Sequence, residues 1–195
     1  MRKITVLAAI AMLAALPVFA ESAYEKGTIV ANIGAGVGIP TNEIDGPEGT
    51  KETWGKAGFA GEVQGLYFFN EYIAAGAHFG YNWFGKKEML KIKGYNFMLD
   101  GKFIINPEDT YRVYIPAGIG FAKYEADADE GGSVKSDLQF AYSAGLGVET
   151  NVTPEIIVGF EAKYNGTKFK NNDDGIEADE NLQHVSAMVK VGYKF

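Results

Sequence analysis

The chain has 195 residues, no cysteine, 25 glycines against 6 prolines, 13% aromatic residues and a formal charge of −7. The acidic balance argues against nucleic acid as a partner, and the lack of cysteine excludes a disulfide framework and thiolate chemistry. Much glycine with many aromatics is poor for helices and suits strands with crowded or tapered packing.

In chain order, Arg2 and Lys3 precede an apolar run from Ile4 to Leu16, and Pro17-Val18-Phe19-Ala20 leads to Glu21. These are the three parts of a secretory signal peptide, with Val18 and Ala20 flanking the cleavage point, so residues 1–20 are expected to be a leader and 21–195 one domain. The run falls short of the roughly 20 residues a spanning helix needs. No later segment has that apolar length, so any membrane crossing has to be made by strands.

Eight period-two segments follow. Residues 28–39 set Ile29, Ala31, Ile33, Ala35, Val37 and Ile39 against Asn32, Gly34, Gly36 and Gly38. Residues 57–68 oppose Phe59, Val63 and Tyr67 to Gly58, Glu62 and Gln64, and residues 73–83 oppose Phe79, Tyr81 and Trp83 to Ala74, His78 and Asn82. In 92–105, Tyr95, Phe97, Leu99 and Phe103 face away from Asn96, Met98, Asp100 and Lys102; in 111–122, Val113, Ile115, Ile119 and Phe121 face away from Arg112, Tyr114 and Gly118. Residues 137–149 place Leu138, Phe140, Tyr142 and Leu146 opposite Asp137, Gln139, Ser143 and Glu149, and residues 155–165 place Ile156, Val158, Phe160 and Tyr164 opposite Gly159, Glu161 and Lys163. The last segment, 185–195, carries Val185, Ala187, Val189, Val191, Tyr193 and Phe195 on one face. Such alternation is the mark of strands with one apolar side.

Connections alternate in length. Residues 69–71, 106–110 and 151–154 are short and built from turn-forming residues. Residues 40–56, 84–91, 123–135 and 166–182 are longer and polar. The pattern predicts an all-β fold, an eight-stranded antiparallel up-and-down transmembrane β-barrel with short periplasmic turns and longer extracellular loops. The rival is a soluble lipocalin-type barrel or β-sandwich with its apolar face inward. Against it, the second face is rich in glycine with scattered charges, aromatics gather at both strand ends as two girdles, and strands of about 10–12 residues suit a tilted membrane crossing. One conflict remains at Pro116, mid-strand in a closed barrel with no edge to hide a missing N–H, where a β-bulge or locally broken ladder is expected.

The leader, the eight amphipathic strands, the loop asymmetry and the Tyr193-Lys194-Phe195 ending resemble the small outer-membrane β-barrel family of the OmpX, OmpW and opacity-protein type. The resemblance covers essentially the whole chain after the leader. It implies that Tyr193 and Phe195 form a C-terminal signal read by the barrel-assembly machinery. The partners expected with it are periplasmic chaperones, the lipid bilayer and lipopolysaccharide; the expected state is a monomer in the cell outer membrane without a cofactor.

An eight-stranded lumen is only just wide enough for side chains to fill. The inward set holds Glu62, Asp100, Asp137, Glu149 and Glu161 against Lys102, Arg112, Lys163 and Lys190, with His78, Gln64, Gln139 and Asn96 among them. Charges withdrawn from water need partners, so this near balance reads as an ion-pair network plugging the barrel, with His78 a member of it and not a metal ligand. The leading expectation is a non-enzymatic barrel whose acidic loops (Glu125, Asp127, Asp129, Glu130; Asp173, Asp174, Glu177, Asp179, Glu180) serve envelope integrity or surface interaction. A narrow channel for small, even apolar, solutes is the alternative the OmpW resemblance allows. A lipid A-modifying enzyme is the second alternative, with His184 activating Ser186 and Glu161 orienting the pair, although the flanking residues do not match such enzymes.

Overall fold

The computed structural model describes residues 24–45, 51–87, 90–128, 133–171 and 178–195. The leader expected at 1–20 lies outside them, as do Asp129, Glu130, Asp173, Asp174 and Glu177 of the acidic loops. The strands are β1 (Ile29–Pro40), β2 (Glu43–Asp45), β3 (Lys51–Thr53), β4 (Lys56–Phe68), β5 (Ile73–Lys87), β6 (Leu90–Ile104), β7 (Arg112–Ala128), β8 (Ser133–Lys135), β9 (Gln139–Asn151), β10 (Ile156–Asn171) and β11 (Ala178–Lys194). Eight of them close an antiparallel cylinder in the order β1-β4-β5-β6-β7-β9-β10-β11, and β11 returns to β1. That last seam runs from Val30↔Lys194 to Pro40↔His184, and the Phe195 amide donates to the Ile29 carbonyl at 2.9 Å. β2 and β3 pair as a small sheet of their own, and β8 pairs with the end of β7.

Each short turn is set by a side chain that substitutes for backbone. Asn70 Oδ1 accepts from the amides of Tyr72 and Ile73, both at 2.9 Å. Asn106 Oδ1 accepts from Val113 at 2.7 Å while its amide donates to the Tyr111 carbonyl, and Thr153 Oγ1 accepts from Ile156 at 3.0 Å. These Asx- and Ser/Thr-type bonds fix the hairpin register locally.

The ladder runs further than the alternation does. Pairing of β5 with β6 reaches Lys87↔Leu90, β6 with β7 reaches Leu90↔Ala128, and β10 with β11 reaches Asn171↔Ala178. Much of the sequence expected as loop at 84–91, 123–135 and 166–182 is therefore β-hairpin. Beyond an apolar slab both faces of a sheet meet water, so polar residues occupy both and the period-two signal fades while the backbone bonds persist. Between β8 and β9 the register shifts by one residue, from Glu125↔Lys135 to Ala122↔Gln139, with Ser136 bonded to Tyr124 through both its amide and its hydroxyl. This irregularity leaves Asp137 exposed, which corrects its inward assignment.

At Pro116 there is no bulge. Pro116 pairs in register with Lys102 on β6, and on the other side the β7–β9 ladder passes from Tyr114↔Gly147 to Ala117↔Ala144 with unchanged register and two rungs missing. The absent N–H thus breaks the ladder locally, as expected, without shifting the register of either strand.

Candidate functional site

The two faces of the wall differ as strongly as core and surface of a soluble domain, but reversed. Ile33, Val63, Phe97, Leu99, Ile119, Phe140 and Leu146 are among many large apolar side chains left exposed outside, whereas the buried inner set is largely charged. Tyr67, Phe69, Tyr72, Phe103, Tyr111, Tyr193 and Phe195 ring the short-turn end and Trp83, Tyr95, Phe121, Phe140 and Tyr164 the other. Such an exterior is stable only in contact with hydrocarbon.

Inside, the lumen is layered. At the short-turn end lies an apolar cluster of Tyr24, Val30, Leu66, Phe68, Ala74, Ile104, Tyr114 and Ile157. At the opposite mouth lies a second, of Trp54, Phe84, Met98, Ala122, Tyr124, Ala141 and Leu182. Between them are nine residues expected in the lumen, all buried: Glu62, His78, Asp100, Lys102, Arg112, Glu149, Glu161, Lys163 and Lys190.

The structure brings these nine into two linked groups. In the lower group Glu149 receives Lys102 Nζ at 2.5 Å and the Tyr24 hydroxyl at 2.5 Å, with Arg112 Nε at 3.7 Å. Arg112 also donates to Asn151 Oδ1, and Lys102 Nζ stands 4.0 Å from the centre of the Tyr114 ring. In the upper group Glu62 and Glu161 hold Lys163 and Lys190 in a closed square: Lys163 lies 2.6 Å from Glu62 and 3.2 Å from Glu161, and Lys190 lies 2.7 Å and 3.3 Å from the same two. Gln64 extends the square, accepting from Lys190 at 2.8 Å and donating to Asp100 at 2.6 Å. Asp100 in turn meets His78 Nδ1 at 2.7 Å, and His78 Nε2 faces Asn96 Oδ1 at 3.1 Å. Four buried carboxylates face four buried Lys and Arg side chains among the described residues, a balance that offsets the cost of removing each from water.

Glycines opposite these side chains make the space. A Cβ on Gly34 would sit 3.2 Å from Glu62 Cγ and 3.3 Å from Lys190 Cγ, and one on Gly147 would collide with the Tyr114 ring. Small cavities remain among the described residues. Two cavities, one beside Lys102, Tyr114 and Glu149 and one beside Glu62, His78, Lys163 and His184, each offer about 10 Å³, the room of about one water.

Ser186 Oγ accepts from Asn165 and lies 3.4 Å from the Lys163 carbonyl, while Glu161 is engaged by the two lysines. His184 Nδ1 has no hydrogen-bond partner among the described residues; its ring meets Phe84 edge-on at 5.2 Å and Trp54 at 6.3 Å. Ser186, His184 and Glu161 share the lumen, but the Ser–His hydrogen bond a nucleophilic dyad needs is not made. No cluster of three or more potential metal ligands occurs among the described residues.

The sequence reading missed the two stoppers. Tyr24, ahead of β1, stacks on Phe68 at 3.8 Å with the Arg112 guanidinium 5.0 Å from its ring. Burial and then the Glu149 carboxylate hold its phenol well above the usual tyrosine range. Trp54, between β3 and β4, donates its indole N–H to Asn42 Oδ1 at 2.9 Å and the Gln183 carbonyl at 3.1 Å. Its ring lies edge-on to Phe84 at 4.4 Å and to Tyr124 at 6.2 Å. Neither residue belongs to an alternating segment, so no phase marks it as inward.

A model of the outer membrane protein beta-barrel domain matches residues 6–195. The chain belongs to that family. Among solved structures, Neisserial surface protein A aligns at 15% identity over 87% of this chain and 97% of its own, with a TM-score of 0.66. OprG from Pseudomonas aeruginosa aligns at 12% identity over 88% and 97% with a TM-score of 0.54, and the Yersinia pestis protein Ail at 21% identity over 87% and 99% with a TM-score of 0.52. At these identities the likeness is one of fold. No curated protein sequence matches the chain. As an outer membrane barrel, the protein has its exposed apolar belt in the bilayer, the short turns on the periplasmic rim and the extended hairpins outside.

Proposed function

We propose that this outer membrane barrel is a closed, non-enzymatic one, whose lumen is plugged by its own side chains and whose protruding hairpins and acidic loops meet envelope or external partners. The observation that carries this reading is the filled bore: a paired charge network between two aromatic stoppers, with space for about one water in each of two cavities. Ion permeation through such a bore requires desolvation against fixed pairs, which is costly. The buried, unpaired arrangement of His184 and Ser186 supports a non-enzymatic role over lipid A chemistry. The reading includes removal of residues 1–20 as a leader and recognition of Tyr193 and Phe195 by the assembly machinery with periplasmic chaperones. Both aromatics lie outward at the periplasmic rim, packed on each other at 4.8 Å and open to a partner. The barrel is taken as a monomer, since its wall leaves no transmembrane strand edge unpaired.

Refolded protein in a planar bilayer tests the reading. The expected result is no stepwise conductance; reproducible single-channel steps would instead establish the narrow-channel alternative. Mass analysis of lipid A with and without expression is expected to show identical species, and a new acylation state that disappears with His184→Ala would establish the enzyme.

A further inference from the structure

Trp54 occupies the outer mouth in the manner of a ligand. Its ring is delivered from the short stretch between β3 and β4, outside the barrel wall, into a cup walled by Phe84 and Tyr124. Its single polar atom is read by two acceptors, Asn42 Oδ1 and the Gln183 carbonyl. Those acceptors are themselves fixed, because the Gln183 amide donates to the same Asn42 oxygen at 2.8 Å, the Thr41 amide donates to the Gln183 carbonyl at 3.0 Å, and Asn42 Nδ2 donates to the Asn181 carbonyl. Beneath the cup lies His184, 1% exposed, whose ring meets Phe84 and Trp54 edge-on and whose Nδ1 has no hydrogen-bond partner among the described residues. A buried polar group left unpaired costs free energy that a better-fitting occupant recovers. Trp54 itself makes no hydrogen bond to it.

We infer that the outer mouth is a binding site for a small flat aromatic heterocycle bearing an N–H, self-occupied by Trp54 in the unliganded protein. A fused bicyclic ring matches the cup, its N–H takes the paired acceptors, and an added polar substituent reaches His184. Trp54 is then a competitor tethered to the site, which lowers the apparent affinity for the free molecule by the fraction of time the site is vacant.

Indole is the probe, added to full-length protein refolded in lipid nanodiscs. Trp54→Ala leaves the wall intact, which is checked by heat-modifiable gel mobility, and it is expected to bind indole at least about tenfold more tightly than the unsubstituted protein does. 1-Methylindole, which leaves both acceptors unpaired, is expected to bind that variant about tenfold or more weakly than indole. In the unsubstituted protein, indole is expected to shift the Trp54 indole N–H resonance while Trp83, half-exposed on the lipid side, stays fixed as an internal reference. No binding of indole by Trp54→Ala overturns the inference. So does equal binding of 1-methylindole, which marks an unselective apolar hole. A Trp54 resonance unmoved at a hundredfold excess over the variant's Kd also overturns it, because Trp54 is then a permanent part of the plug.

Discussion

The two mouths of the lumen are each stopped by an aromatic ring from outside the barrel wall, yet the rings are held by different means. Tyr24 is tied into the charge network through Glu149, stacked on Phe68 and flanked by Arg112. Trp54 makes only neutral hydrogen bonds at the rim, to Asn42 and to the Gln183 carbonyl of β11, above a histidine whose Nδ1 it does not use. One stopper is thus coupled to the lower charge group, and the other is held by ring packing and neutral bonds alone. The lower mouth should behave as part of the global fold, the upper mouth as a locally detachable unit.

The strongest way to break this contrast is to remove the acid at each level. Glu149 is the only carboxylate of the lower group, facing Lys102, Arg112 and Tyr24, so Glu149→Ala is expected to cost about 3–5 kcal/mol in denaturant unfolding of the micelle-bound barrel. Glu161→Ala leaves Lys163 and Lys190 with Glu62 and is expected to cost about 1–3 kcal/mol. Equal losses would mean that the two groups act as one network. Next come the stoppers. Tyr24→Ala is expected to lower global stability by about 3 kcal/mol, as for a buried aromatic. The loss from Trp54→Ala is capped by the free energy of locally opening the mouth and is expected to stay near 1 kcal/mol, with faster amide exchange confined to residues 41–42 and 181–183.

Gly147→Ala sharpens the lower end, because its methyl would displace the Tyr114 ring over Lys102; a loss of about 1–3 kcal/mol in the same unfolding measurement is expected, with the Trp54 resonance unchanged. The smallest effect is alkaline. The folded-state pKa of Tyr24 lies above its unfolded value, so its contribution to stability is complete below about pH 10 and is lost as pH rises through the folded value. Phenolate absorbance is expected to show a late-titrating phase, and Tyr24→Phe to shrink that phase by one tyrosine.

The wall was legible because lipid on one side and side chains on the other impose strict alternation: Ile33, Val63 and Leu99 point outward, and Glu62, Asp100 and Lys102 point inward, at the phase their neighbours dictate. The same phase placed nine charged or histidine residues in the bore, but pairing within it depended on distances across the lumen that no spacing along one strand encodes. Glu62, on β4, meets Lys163 on β10, three strands away around the cylinder. Asp137 was misplaced because a one-residue register shift at Ser136 breaks the phase that its assignment relied on. Phe84 looked like loop because the residues after it are polar on both faces, although it continues β5 into the lumen. Tyr24 and Trp54 carried no signal at all, since each lies where the chain leaves the wall.

The two rungs missing beside Pro116 give the cylinder a preferred line of failure. Seven seams are held by continuous or nearly continuous ladders, whereas β7 and β9 are joined by two shorter runs with a gap between Tyr114↔Gly147 and Ala117↔Ala144. Under tension across the wall, load concentrates on the rungs flanking the gap, as it does at a perforation in a sheet. Any opening of the wall is therefore expected to start at this one seam, beside the lower charge group. Pro116 and Glu149 both border the same lower cavity, so a rupture that started at the gap would open beside the buried charges of the lower group.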